Sequence, residues 1–495
     1  MTAENFLNLI IARLDGESID YSDYRQYIEK LTRDGIGGFI VFGGDYDKIK
    51  NFIVYLQSVA HRPLIIASDI ERGVGQQIKR ASLIPSQMGI TAGFNLPDEE
   101  QELKTLYSIV IKEAADIGIN LALIPVLDVN TAPRNPIICT RAFSDNPDTV
   151  SEYGNCIINF FESNRLLTCA KHFPGHGGTQ IDSHIELPTI NESIDIHLKP
   201  FKKAINAGVS SMMIGHLMIP EIDSLPATLS EKAINQLLKQ TLDFKGAVLT
   251  DAMNMKALKN YNNHHALAIK SGADIVLHPE NPYKAMEEIK SAYNYGLITE
   301  NRITEALFVI NRLKKKIRSF PVTNNYINTR ANNVESSLII QRAFKKTVTV
   351  IKNEIPDLET RKIIPCLTGS YSEEIKEAFK NYFGSVYDLT NFSKTSLSGV
   401  IPLIAVFTNI KAAGDKHVVS EEQNIMIKDI FSSNDTIFVS FGNPYIVRFS
   451  FFKRAKTIIL VYDSNINAVS AFIDVFKDGL KTSGKLPVKI EWIND

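Results

Sequence analysis

A repeated alternation of short apolar runs and helical patterns over the first 320 residues is the feature that most constrains the fold. Seven of the apolar runs are predicted to be strands, at 38–42, 64–67, 121–125, 167–170, 211–214, 247–249 and 274–277. Helical patterns lie between them, such as those at 102–117, 150–164, 198–207 and 230–241. Strands that alternate with helices at this spacing predict βαβ units and a parallel sheet. An eighth strand is ambiguous. The apolar stretch 6–12 is interpreted as an amphipathic first helix rather than a signal peptide.

Polar side chains follow nearly every predicted strand at its C-terminal end. They are Asp69, Asp128, Lys171, His172, His216, Asp251 and His278. In a (β/α)8 barrel the carboxyl ends of all strands meet at one mouth, and catalytic residues come from several strand ends at once. An open doubly wound sheet would instead concentrate its site at one switch point. The pattern therefore favours an N-terminal (β/α)8 TIM-type barrel.

The rest of the chain predicts a second, smaller domain. A helical pattern at 301–316 closes the barrel, which is expected to span 1–317. Residues 318–334 contain one Pro and several Asn and are interpreted as a linker. In 335–495 the alternation resumes, with strands predicted at 347–352, 363–366, 403–407, 436–441 and 457–462. This half is expected to form a layered α/β domain.

Composition and charge argue against several functional classes. The 54 basic and 55 acidic residues leave a net charge of −1, so no overall field favours nucleic acid or an anionic membrane as a partner. No apolar run approaches the roughly 18 residues of a membrane helix, and the N-terminus lacks a basic signal-peptide region, so a cytoplasmic location is expected. The four cysteines form no CxxC pair and are expected to be buried free thiols, as suits a reducing compartment. The sequence carries no signal for an oligomeric state.

The loop after the strand at 167–170 is the richest in chemistry. Asp182 stands two residues before His184, so the carboxylate can orient the imidazole as a proton donor and acceptor near neutral pH. A simple hydrogen-bonded loop motif is one alternative. A zinc site formed by His172, His176 and His184 is another, although their spacing matches no compact zinc signature.

Asp251 is the candidate nucleophile. It follows the strand at 247–249, and a carboxylate at that place in a barrel projects into the mouth, where it can attack a sugar carbon. The alternative is that Asp251 caps the N-terminus of a following helix. Retaining glycoside hydrolysis needs a nucleophile and an acid/base, and Asp251 with His184 supplies that pair.

The candidate sugar-binding residues are charged groups on the same strand ends and loops. Asp69 can accept hydrogen bonds from two hydroxyls, unless it serves as a cap or pairs with Arg72. Arg141 can offer a guanidinium fork, with a structural salt bridge as its alternative. Lys171 and His172 are the stronger candidates, since charge at an apolar strand end is costly unless it is used. Further candidates for contact with substrate are His176, His216 and Asp128.

These residues stand in motifs that resemble family 3 glycoside hydrolases, in the branch of the β-N-acetylglucosaminidases. The matching segments are 171–177, 182–184, 250–255, 135–143, 226–230, 272–277 and 484–488, in family order. The Asp-Ser-His element at 182–184 is the specific one, since family 3 β-glucosidases generally lack it. One departure is the segment 69–75, where many relatives have Asp-x-Glu-Gly-Gly-Arg-Val and this chain has its arginine two positions earlier, at Arg72.

The resemblance implies a fold, a reaction and a set of roles. The fold would be a (β/α)8 barrel followed by an αβα sandwich domain. Asp251 would be the nucleophile and His184 the acid/base, with Asp182 as its partner. The groups that bind the terminal sugar would be Asp69, Arg141, Lys171 and His172. The substrate would be a terminal β-linked N-acetylglucosamine, often on a muropeptide in cell-wall recycling, with no cofactor and no metal.

Three other functions are considered beside this one. An imidazole acid/base would not repel an anionic acceptor as a carboxylate would, so phosphate could replace water and the enzyme would be a phosphorylase. A family 3 β-glucosidase is the second. A catalytically inactive carbohydrate-binding scaffold is the third, and it is disfavoured because both Asp251 and His184 are present.

Overall fold

The computed structural model describes residues 1–179, 186–318, 334–354, 362–389, 399–409, 420–433 and 435–494. Asp182 and His184, as well as most of the predicted linker, lie outside these residues. The chain forms two compact units. None of the helices in the described ranges is long and apolar enough to cross a membrane.

The first unit is built on a ring of eight parallel strands. They are β1 Ile10–Asp15, β2 Gly38–Phe42, β3 Ile65–Ser68, β4 Leu121–Ala122, β5 Leu167–Phe173, β6 Ser211–Ile214, β7 Ala247–Thr250 and β8 Val276–Leu277. Neighbours pair in the order β7-β6-β5-β4-β3-β2-β1-β8. Beside β8, the N–H of Thr250 donates to the carbonyl of Ile275 at 3.0 Å, and Leu249 bridges Ile275. These contacts join β7 to the strand region of β8, so the predicted barrel is confirmed.

Helices follow most of the strands. They are α1 Ala3–Leu7, α2 Ser22–Arg33, α3 Tyr46–Val59, α4 Gln87–Gly93, α5 Glu100–Ile117, α6 Pro147–Ser163, α7 Asp195–Asn206, α8 His264–Ser271, α9 Pro282–Asn294 and α10 Glu300–Arg318, with a wider π-type helix at Lys232–Thr241. Local sequence sets several of their starts. The Asp45 carboxylate accepts from the N–H groups of Asp47 and Lys48 and so caps α3. Asn281 caps α9, whose first residue is Pro282.

The strands are buried on both sides, as their continuous apolar runs predict. All seven residues of β5 are buried, and so are all four of β3. A Cβ at Gly38 would lie 2.0 Å from the carbonyl oxygen of Ile65, so only glycine permits the approach of β2 to β3 at this point. The covered strands leave their C-terminal ends as the place where polar side chains gather.

The expected amphipathic helix over residues 6–12 is wrong. Helix α1 ends at Leu7, and β1 begins at Ile10. Ile10 and Ile11 are fully buried, and β1 pairs with β2 on one side and with β8 on the other. A short apolar run fits either a buried helix or a buried strand, and here the two neighbouring strands decide. This segment supplies one of the eight strands of the ring.

The second unit contains a six-stranded mixed sheet. Its strands are β9 Thr349–Asn353, β10 Lys362–Gly369, β11 Tyr387–Asp388, β12 Val400–Phe407, β13 Ile437–Phe441 and β14 Thr457–Val461, in the order β11-β10-β12-β13-β14-β9. All pairs are parallel except β14 with the edge strand β9. Its helices are α11 Val334–Thr347, α12 Glu373–Phe383, α13 Glu421–Ser433, α14 Ile466–Lys477 and α15 Glu491–Asn494. The α/β character predicted for this half is confirmed, and β11 is an addition.

Two segments from the first third of the chain also belong to the second unit. These are Ile84–Leu103 and Pro133–Asn146, beside the part from Ser337 onward. The N–H of Ser86 donates to an Asp463 carboxylate oxygen at 2.9 Å, and the Ser144 hydroxyl donates to the Pro487 carbonyl at 2.6 Å. The predicted domain boundaries at 317 and 335 stay a prediction, because residues 319–333 are not described.

Candidate active site

Lys171 forms the centre of a buried charge cluster at the end of β5. Its Nζ lies 2.6 Å from Asp69 Oδ1 and 2.7 Å from Glu71 Oε1. The side chains of Lys171 and Glu71 are 1% and 3% exposed, whereas that of Asp69 is 24% exposed. Two carboxylates around one ammonium offset the cost of removing it from water. Among the described residues Asp69 Oδ2 has no hydrogen-bond partner, so this oxygen is available to a ligand.

Asp69 pairs with Lys171 and not with Arg72, which was one of its two alternative roles. Sequence reasoning missed Glu71, although it stands two residues after Asp69. Glu71 could have been found from the expectation that a buried lysine such as Lys171 needs more than one anionic partner.

His172 is oriented by Asp128, which is fully buried. His172 Nδ1 lies 2.7 Å from Asp128 Oδ2, and Asp128 Oδ1 accepts from the backbone N–H groups of His172 at 3.2 Å and His176 at 2.6 Å. Burial opposes ionisation of Asp128, but the charge and hydrogen bonds of His172, with a smaller contribution from His176, outweigh it and lower the pKa of the carboxyl. The ionised carboxylate fixes Nδ1 of His172 as a donor, which sets the direction of the ring.

The rings of His176 and His216 are bonded to protein groups in the interior. His176 Nδ1 lies 2.8 Å from Thr179 Oγ1, and burial together with neighbouring His172 lowers the pKa of His176 to about 4, so it is neutral at neutral pH. His216 Nδ1 lies 2.7 Å from Thr228 Oγ1, and its Nε2 lies 3.2 Å from the Ala252 carbonyl oxygen. In this structure both residues support loops of the mouth, and their direct contact with substrate stays a prediction, as does that of Asp128.

Asp251 lies at the end of β7 on a segment held by its neighbours. Its N–H donates to the Ile214 carbonyl at 2.9 Å, and its Oδ1 accepts from the N–H of Ala252 at 2.7 Å. No α-helix begins there, since a single 3₁₀ turn starts at Lys256 and α8 only at His264. The alternative role of Asp251 as a helix cap is therefore wrong. The residue is half-buried, and its place after β7 puts it at the mouth of the barrel.

Asp251 and Asp69 act on a common neighbour. Both carboxylates oppose the lowering of the His278 pKa, which burial and Arg13 nevertheless hold at about 4. They follow β7 and β3, which stand four strands apart in the ring of eight and so face each other across the mouth. The two carboxylates are thus at opposite sides of one opening.

Arg141 lies in the second compact unit. It ends a 3₁₀ turn, Cys139–Arg141, where its Nη1 donates to the Ile137 carbonyl at 3.1 Å and its own carbonyl accepts from Gln87 Nε2 at 2.8 Å. Asp182 and His184 are not described, so their predicted roles stay predictions. The described flank before them ends at Thr179.

The cysteines are candidates for thiol chemistry, and the histidines are candidates for metal binding. All four cysteines are free, and Cys139, Cys169 and Cys366 are buried whereas Cys156 is half-buried. Burial raises the pKa of Cys139 and of Cys169 to about 12, so neither is a reactive thiolate. Among the residues that the structure describes, no group of three or more metal-ligating side chains is arranged to hold an ion.

Comparison with known proteins decides the family. The sequence profile described as the glycosyl hydrolase family 3 N-terminal domain matches residues 9–313. The chain belongs to glycosyl hydrolase family 3. It is therefore a glycoside hydrolase, as the sequence analysis predicted.

Several family 3 proteins are similar over most of their length. The chain is 25% identical to a beta-N-acetylglucosaminidase/beta-glucosidase of Cellulomonas fimi, over 95% of this chain and 91% of that protein. It is 28% identical to beta-hexosaminidase A of Pseudoalteromonas piscicida, over 76% of this chain and 70% of that protein. These relatives confirm the predicted resemblance.

Solved structures agree on the fold. A glycoside hydrolase family 3 beta-N-acetylglucosaminidase from a Paenibacillus species superposes with a TM-score of 0.84 at 24% identity, over 99% of both chains. A beta-glucoside phosphorylase superposes with a TM-score of 0.86 at 20% identity, over 100% of this chain and 95% of that one. The predicted fold class of a barrel followed by a smaller α/β domain is confirmed.

Proposed function

We propose that the protein is a retaining exo-β-N-acetylglucosaminidase, which releases terminal β-linked N-acetylglucosamine through a covalent glycosyl-enzyme intermediate. The observation that carries the proposal is the position of half-buried Asp251 across the barrel mouth from the Asp69–Lys171 pair. The names of the similar proteins, which include beta-hexosaminidase and beta-N-acetylglucosaminidase, support the choice of sugar.

In the first step Asp251 attacks the anomeric carbon from below the ring. The bond from that carbon to the leaving oxygen breaks, and His184 gives this oxygen a proton. In the second step the neutral His184 takes a proton from water, whose oxygen displaces Asp251 and restores the carboxylate. Asp182 would favour the imidazolium form of His184 during the first step.

The sugar would be held by groups that surround it on different sides. Asp69 Oδ2 can accept from hydroxyls, and Lys171 keeps that carboxylate in place through its contact with Oδ1. His172, with its Nδ1 committed to Asp128, would present its other nitrogen as a hydrogen-bonding group. Arg141 is proposed to complete the set. A terminal residue with free hydroxyls suits such a closed set of polar groups, which is the reason for proposing exo action.

The setting that fits this activity is the recycling of cell-wall muropeptides in the cytoplasm, which we propose as the biological context. Support comes from the absence of any spanning helix in the described residues and from the resemblance to the β-N-acetylglucosaminidase branch.

The test compares initial rates on aryl N-acetyl-β-glucosaminide and aryl β-glucoside in buffer without phosphate. We expect a strong preference for the N-acetyl sugar, and proton NMR of the first product should show the β anomer. Preference for the plain glucoside would contradict the choice of sugar, and an α product would contradict retention. Phosphate that raises the rate and yields a sugar 1-phosphate would show a phosphorylase instead.

The nucleophile is tested by substitution and by trapping. Asp251→Asn keeps the size of the side chain but removes its charge, and should lower kcat by several orders of magnitude. A 5-fluoro analogue of the substrate, which slows the second step, should label a peptide that contains Asp251 in the wild-type enzyme. A kcat of Asp251→Asn within tenfold of the wild-type value would contradict the assignment of Asp251 as the nucleophile.

A further inference from the structure

His278 occupies the strand end next to that of Asp251 and has no role so far. It follows β8 with a φ of +46°, a left-handed conformation that residues other than glycine seldom adopt. Its backbone is held on two sides: its N–H donates to the Ile11 carbonyl at 2.7 Å, and its carbonyl accepts from the N–H of Asn254 at 3.2 Å. A strained residue held in this way is frequent at functional sites.

The imidazole of His278 makes no hydrogen bond with any described residue. The residue is only 8% exposed, yet neither ring nitrogen belongs to the polar atoms that are sealed from solvent without a partner. The nitrogens are thus accessible to solvent and are not paired with any residue that the structure describes. Since an unpaired polar group in a nearly closed position costs free energy, its use by a ligand is the natural explanation.

The surroundings define what kind of group the ring can bind. Burial, then Arg13, keep the pKa of His278 at about 4 in spite of Asp69 and Asp251, so the ring is neutral and offers one N–H and one lone pair. Phe42 stands beside it, with ring centroids 5.6 Å apart, and the Arg13 guanidinium lies 5.0 Å from the Phe42 centroid. A group that both donates and accepts, such as a hydroxyl or an amide, matches a neutral imidazole. An anionic group would be repelled by the two carboxylates.

The order of the strands gives the direction of approach. In the ring of eight, β1 stands opposite β5, so the arc formed by β8, β1 and β2 faces the β5 residues Lys171 and His172. The arc carries His278, Arg13 and Phe42. Asp69 and Asp251 lie on the two remaining sides. A sugar ring among these groups therefore has one flank toward Lys171 and the other toward His278.

We propose that His278 is a sugar-binding residue of the active site, whose imidazole hydrogen-bonds an uncharged polar substituent on the flank of the ring opposite Lys171. This deepens the proposed function and rests on its assignment of the barrel mouth as the sugar site. Phe42 forms the apolar wall beside that substituent. The contact selects neutral sugars over those that carry a carboxylate.

The experiment uses His278→Gly, which keeps the left-handed backbone at no steric cost, and His278→Asn, which also tolerates it and retains a polar group. Each enzyme is assayed on an aryl N-acetyl-β-glucosaminide, on its 6-deoxy analogue and on the aryl β-glucoside. Asp243→Gly is the matched control, because Asp243 has a φ of +54°, is exposed and precedes β7 at the other end of the barrel.

We expect His278→Gly to lower kcat/KM on the full substrate roughly three- to tenfold, as the loss of one neutral hydrogen bond predicts. The loss should be clearly smaller on the one analogue that lacks the bonded group, and His278→Asn should recover part of the rate. Asp243→Gly should leave all three rates unchanged.

An equal loss on all three substrates would overturn the proposal, because a merely structural residue would act in that way. The proposed function fails separately, through the sugar preference of the wild-type enzyme. If the plain glucoside is preferred, the comparison is made with glucoside and 6-deoxyglucoside. If the wild type turns over none of them, the affinity for N-acetylglucosamine and its 6-deoxy form is measured by calorimetry, and an unchanged affinity in His278→Gly overturns the proposal.

Discussion

Replacement of Glu71 by glutamine tests whether the buried cluster around Lys171 needs both of its carboxylates. Glu71→Gln preserves the shape of the side chain and an oxygen acceptor for Lys171 Nζ, which lies 2.7 Å from Oε1 in the wild type. It removes one negative charge from a site where the lysine is 1% exposed and the glutamate 3%. Water therefore screens this charge very little.

The loss of stability in Glu71→Gln depends on the charge partner that Lys171 keeps. The loss of one partner from an isolated buried ion pair costs about 3–5 kcal/mol, because the other charge is left alone. Lys171 keeps Asp69 at 2.6 Å, so we expect a smaller loss, about 1–3 kcal/mol of the free energy of unfolding. For a unit of this size that corresponds to a decrease in Tm of about 2–8 °C. Because Lys171 then shifts toward Asp69, kcat/KM should also fall, by roughly tenfold.

The assay is thermal unfolding followed by circular dichroism, together with kcat/KM on the aryl N-acetyl sugar. Glu17→Gln is the matched control, since Glu17 pairs with Lys79 at 2.8 Å on the surface, where both side chains are more than half exposed. The control should leave Tm and rate unchanged. Unchanged Tm and rate in Glu71→Gln as well would refute the reasoning, because Asp69 alone would then suffice to balance Lys171.

Three further predictions concern the loop at 171–184 and its supports. Gly177→Ala should lower stability by about 1–3 kcal/mol, since a Cβ there would lie 1.7 Å from the Val129 carbonyl oxygen, and an unchanged Tm would contradict the clash. The pKa of His176 is lowered to about 4 in the folded protein, so between pH 6.5 and 4 the unfolded chain takes up a proton that the folded chain does not, and the free energy of unfolding should decrease as the pH falls. His176→Asn should therefore flatten the dependence of Tm on pH in that window. An unaltered slope would contradict the assignment of this dependence to His176. His184→Ala should reduce the rate on substrates with poor leaving groups far more than on activated aryl glycosides, and equal losses would speak against an acid role.

The first half of the fold was predictable because its apolar runs are long, bounded and regularly spaced. All seven predicted barrel strands overlap observed ones, by three residues or more in β2, β3, β5, β6 and β7 and by two in β4 and β8. The strand that was not predicted is β1, because the run at 6–12 contains both the end of α1 and the start of the strand. Only pairing with β2 and β8 distinguishes the two halves of this run.

The candidate site was predictable in its residue types and less so in their contacts. The strand-end pattern led to Asp69, Lys171 and Asp251, and all three lie at the barrel mouth. It could not separate residues that face the opening from those that support it. Asp128 and His216 follow strands in the same way, yet they are fully buried and bonded to protein groups.

The sequence by itself determined the family, the barrel and the chemical types of groups at its mouth, because these depend on local patterns of apolar runs and on short motifs. Only the tertiary structure decided which groups meet. Lys171 lies about a hundred positions from Glu71 along the chain, and His278 acquires its neighbours from β2, β3 and β7. Such charge pairs and contacts depend on how the ring of strands closes. No local sequence pattern specifies which residues far apart in the chain will then be in contact.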